Sequence, residues 1–72
     1  MKTYEFWRER ETGDVWAVEL LEGIVVGLCG PLHHSEVDEG FLETFGYSTE
    51  RAAWVEQHRD AFDLYDAARA PY

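Results

Sequence analysis

The chain has 72 residues and a formal net charge of −9, with 15 Asp and Glu set against 6 Lys and Arg. That length makes one small domain, and the acidity excludes direct contact with nucleic acid or an anionic membrane surface, both of which need clustered Lys and Arg. A single cysteine, Cys29, excludes an intrachain disulfide and points to a reducing, cytoplasmic setting.

Met1–Glu5 contains no apolar core of the kind a secretory leader carries, so none is expected here. Three runs rich in aromatic and β-branched residues follow: Thr3–Arg10, Asp14–Leu20 and Ile24–Cys29. Glu11-Thr12-Gly13 and Leu21-Glu22-Gly23 separate them, each ending in a glycine that can take positive φ without a Cβ penalty. The pattern predicts an antiparallel meander in the order 1-2-3, joined by three-residue loops. Such loops set Phe6 opposite Val18 and Val18 opposite Val26. Tyr4, Arg8, Trp16, Leu20, Ile24 and Leu28 then share their face. On that face Arg8 is expected to lie over the Trp16 ring as a cation–π pair. The opposite face collects Glu5, Trp7, Val15, Ala17, Glu19, Val25, Gly27 and Cys29, with Glu5 unfavourably opposite Glu19.

Gly30-Pro31 is expected to end the third strand. Ser35 reads as an N-cap, with a helix over about 36–45 and Gly46 beyond it as a C-cap. Val37, Phe41, Leu42 and Phe45 would form its apolar side, and Glu36, Glu39 and Glu43 its acidic side. Ser48 reads as the next N-cap, opening a helix over about 49–66. There Trp54, Val55, His58, Ala61, Phe62 and Tyr65 share one face, and Glu56, Asp60 and Asp63 lie opposite. Residues 67–72 are expected to fray. The predicted fold is therefore a single α+β domain over 1–72, a β-meander over about 3–29 followed by two helices on one face (βββαα).

Chemistry-bearing residues are few. Cys29, His33, His34 and His58 are the available soft ligands, and their spacing matches no closed zinc site, so neither metal nor cofactor is expected. His58 falls on the apolar side of the second predicted helix and is expected to be at least partly buried against the sheet or the first helix. Cys29 lacks the electropositive surroundings of a nucleophile, and no phosphate-cradling glycine loop is present.

Two features point to interaction instead of catalysis. Ile24–Cys29 would be an edge strand with no charge, proline or lysine to guard it, so it must be covered or paired. The face carrying Trp7, Val15, Ala17, Val25 and Cys29 would lack a covering helix. Together these predict a small non-enzymatic interaction module, a homodimer formed through that edge or that face. The alternative is an acidic inhibitor or nucleic-acid mimic that occupies a basic protein, using stripes of Glu36, Glu39, Glu43 and of Glu56, Asp60, Asp63.

Overall fold

The computed structural model describes residues 1–66; the frayed tail expected over 67–72 lies outside them. Strands β1 (Lys2–Glu9), β2 (Val15–Leu21) and β3 (Ile24–Leu32) form a meander. After two short 3-10 turns at His34–Glu36 and Glu39–Phe41 comes the helix α1 (Ala52–Gln57). A third 3-10 turn at Arg59–Ala61 leads into a fourth strand, β4 (Phe62–Tyr65). The strands make one antiparallel sheet in the order β3-β2-β1-β4.

This corrects the βββαα expectation in three ways. First, β4 docks on the free side of β1, so β1 is an interior strand and the 1-2-3 order becomes 3-2-1-4. Second, the helix predicted over 36–45 is two separate turns. Val37 leaves helical geometry with ψ 78°, and Asp38 restarts the chain by accepting a hydrogen bond from the Gly40 N–H at 2.9 Å. The short polar side chain offers the backbone a local partner in place of the helical ladder. The first turn is capped by His33 and Glu36, not by Ser35. Third, the helix predicted over 49–66 ends at Gln57. His58 takes φ −121° and ψ 36°, and the chain turns back to the sheet. Ser48 is not its N-cap; the backbone of Ser48 bridges to Leu28 in both directions, at 2.9 Å each.

The register also differs, because the loops are not three residues long. Glu9 and Asp14 close the first loop through Glu9 N–H to Asp14 C=O at 2.8 Å, leaving four residues between them. The second is a two-residue turn, with Glu22 at φ 52° and Gly23 at φ 81°. Phe6 therefore pairs with Ala17 and Trp7 with Trp16. A one-residue slip sends every side chain of β1 to the other face. Trp7 joins Trp16, Val18 and Leu20, while Tyr4 lies opposite Glu19 on the Phe6 face. Irregular pairing near Val26 then lets Val25 and Leu28 both join the Trp7 face. β3 runs through Gly30-Pro31 to Leu32 instead of stopping there. Gly30 has φ 147°, and a Cβ on it would come 2.9 Å from Trp16, so glycine is required on both counts.

Both faces of the sheet are covered. On one, Trp7, Trp16, Val18, Leu20, Val25 and Leu28 pack against Ala52 and Val55 of α1 and against Phe62. Val18 and Val55 are completely buried. On the other, Phe6 and Ala17 pack beneath Val37, with Leu42, Phe45 and Tyr47 around them. Tyr47 anchors this irregular layer: its hydroxyl donates to the Leu42 carbonyl at 2.6 Å and its ring lies 5.5 Å from that of Tyr4. Among the described residues no helix is long and apolar enough to cross a membrane.

Candidate functional site

The two edges of the sheet are built differently. In an antiparallel ladder alternate residues turn their backbone groups outward. On β3 these include Val25 and Leu28, and both are engaged. The Val25 N–H donates to Glu56 Oε1 of α1 at 2.8 Å, and Leu28 exchanges two hydrogen bonds with Ser48. Pro31 has no N–H to offer. Arg59 adds a clamp by donating to the Gly23 carbonyl at 3.0 Å and to the Glu56 carboxylate. The edge that looks unguarded in the sequence is sealed by Ser48, Glu56 and Arg59, far later in the chain.

β4 is the opposite case. Phe62 fixes it to the core, its ring 6.0 Å from Trp7 and 6.4 Å, edge-on, from Trp54. Arg59 covers Trp7 from above, its guanidinium carbon 5.2 Å from the ring centroid. On the other face Arg10 grips Asp63 through Nε at 3.0 and 3.1 Å. The Arg10 N–H donates to the Ala61 carbonyl, which sets the phase of the ladder and turns the backbone groups of Phe62 and Leu64 away from β1. Among the described residues no strand pairs with this outer side. Leu64, 71% exposed, stands beside it.

The residues expected to form one interaction face do not lie together. Trp7 and Val25 belong to the core beneath α1, whereas Ala17 belongs to the opposite core with Val15 and Cys29 packed around it. Trp7, Ala17 and Val25 are buried. The acidic residues form no stripes. Glu36, Glu39 and Glu43 are spread over separate turns, Glu56 is spent on Val25 and Arg59, Asp60 lies in the turn before β4, and Asp63 is bound by Arg10. Glu5 and Glu19 are not opposed: Glu5 pairs with Val18 and accepts from Trp7 Nε1 at 2.9 Å, and Glu19 lies 3.7 Å from Lys2 Nζ. Arg8 pairs with Val15; the cation over Trp16 is Arg51, 5.3 Å from its centroid.

His58 is exposed, contrary to expectation. Its ring stacks on Trp54 at 4.3 Å and its Nδ1 lies 2.7 Å from the Trp54 carbonyl, so it closes the end of α1 instead of filling the core. Cys29 is half buried, and burial, aided by the Glu36 carboxylate, raises its thiol pKa. A thiol so placed is a poor nucleophile. Among the described residues no three His, Cys, Asp or Glu side chains converge as a metal site would require.

Sequence reasoning missed β4 and Leu64. One signal was present: Phe6 and Trp7 are adjacent, large and apolar, so both faces of β1 must be covered, as in an interior strand with two neighbours. Comparison with the models of known protein families, with curated proteins and with solved structures finds no match.

Proposed function

We propose that this protein is a non-enzymatic interaction module whose contact element is the outer edge of β4, and that its partner is a second copy of itself. The reading is carried by the contrast between the edges: β3 is sealed, while β4 ends the sheet with Leu64 exposed beside it. Strand addition to such an edge satisfies backbone groups and can build a symmetric contact. Antiparallel pairing centred on Leu64 sets Leu64 against Leu64 of the partner subunit and Asp63 against Tyr65 of the partner subunit. Pairing centred on Asp63 would oppose two carboxylates, which is unfavourable, so the Leu64 register is selected. The acidic-inhibitor alternative draws no support from the arrangement of the acids.

Sedimentation equilibrium at micromolar concentration tests this. The wild type is expected at twice its 8.4 kDa mass, and Leu64→Lys at the monomer mass with an unchanged fold. A monomeric wild type, or a Leu64→Lys variant that still dimerises, would overturn the proposal.

A further inference from the structure

Arg8 is set apart from the other described lysine and arginine side chains of this acidic chain. Lys2 faces Glu19, Arg10 grips Asp63, Arg51 lies over Trp16 and Trp54, and Arg59 holds Glu56 and Gly23. Among the described residues Arg8 alone of the lysines and arginines has no ion pair, side-chain hydrogen bond or ring contact. Its cross-strand neighbour Asp63 is already held by Arg10. A net charge of −9 makes an unclaimed guanidinium all the more conspicuous.

Arg8 also lines a groove of about 420 Å³ where the end of β1 meets the start of β2, the end of β3 and Tyr65. This lies within the roughly 300–1,000 Å³ range of small-molecule sites. Val15, Leu32, Val37 and Tyr65 give it apolar walls, and Gly13, Asp14 and His34 complete the lining, so a ligand carboxylate on Arg8 has to sit away from the Asp14 carboxylate. The planar fork of Arg matches a carboxylate with two parallel hydrogen bonds. The surrounding negative field repels a doubly charged anion more than a singly charged one. We infer that this groove binds a small monocarboxylate carrying an apolar, ring-sized group, with the carboxylate on Arg8 and the apolar part against Val15, Leu32 and Tyr65. The groove shares Tyr65 with β4 but does not need its outer edge to be paired, so the titration is also run on the Leu64→Lys variant, which separates the two proposals.

Phenylacetate is a suitable test ligand, titrated into the full chain with amide shifts read by heteronuclear NMR. Saturable shifts are expected at Gly13, Asp14, Val15 and Val37. Phenylacetamide, which has the same shape without the charge, and inorganic phosphate should both bind at least about tenfold more weakly. Arg8→Gln should lose about tenfold or more in affinity while keeping a dispersed, native-like spectrum, and Arg8→Lys should lose less. Absence of saturable shifts, equal binding of the amide or of phosphate, or undiminished binding by folded Arg8→Gln would each overturn the inference.

Discussion

β3 and β4 end the same sheet, and only β3 is closed by the rest of the chain. β3 is long and apolar, and its protection comes from elsewhere in the chain: the Glu56 carboxylate on Val25, and Ser48 bridging Leu28. β4 is only four residues long, and Asp63 is its one charge. The comparison teaches that the edge to suspect is not the one with the most hydrophobic sequence. A carboxylate on another element can close an apolar edge, and a short strand that looks helical in sequence can become the open one.

The largest effect should come from Trp7, which lies on β1 beside β4 and under Arg59. Trp7→Ala is expected to cost about 3–5 kcal/mol, because it empties the centre of the core beneath α1. Chemical denaturation measures this, and a cost below about 1 kcal/mol would return Trp7 to the surface role that sequence suggests. Next comes the seal on β3. Glu56→Ala leaves the Val25 N–H unpaired and is expected to cost about 1–3 kcal/mol. It should also open a second edge, so that sedimentation shows species larger than a dimer; an unchanged melt and mass would show that the seal does nothing.

A pH series sharpens the comparison between the two faces. Cys29 and Tyr47 both lie on the face covered by residues 34–47, and burial raises the pKa of each, Tyr47 far above the usual tyrosine range. The unfolded chain therefore gives up these protons first. Their contribution to stability is complete below the unfolded pKa values and falls as pH rises through about 8.5 for the thiol and about 10 for the phenol. The melting temperature should decline from about pH 8 upward, and Cys29→Ser with Tyr47→Phe should flatten that decline. An identical alkaline slope in the double variant would refute the assignment. The smallest stability effect belongs to Leu64→Lys, expected within about 0.5 kcal/mol of wild type because the side chain is exposed in the monomer. A larger loss, measured at concentrations below any dimerisation, would mean that Leu64 packs within its own chain.

The three leading strands were legible because their aromatic and β-branched runs are dense and their glycines mark the breaks. Loop length was not legible. Gly13 and Gly23 announce turns, but the four-residue first loop rests on hydrogen bonds of Thr12 and Glu9, and the two-residue second turn rests on Glu22 accepting positive φ. Those differences reverse which of Phe6 and Trp7 faces α1. β4 was hidden because Ala61, Phe62 and Tyr65 also fit a helical period, and only tertiary pairing with β1 decides between the two. The segment over 36–45 carries helical spacing, yet Asp38 and Gly40 break it locally. Of the candidate site, the sequence pointed to the edge of β3, which Glu56 and Ser48 cover, and neither Leu64 nor the Arg8 groove has any signature in the sequence.

The half-buried thiol of Cys29 makes the molecule its own timekeeper. Cys29 lies on the Ala17 side of the sheet, beside the layer held down by Val37 and Tyr47 and by short 3-10 turns in place of a helix. A layer with so few regular hydrogen bonds opens at lower free energy than the strands beneath it. Each opening of that layer therefore adds to the rate at which an alkylating reagent finds the single, already half-exposed thiol. A chain that has begun to shed this layer will be marked long before its sheet comes apart.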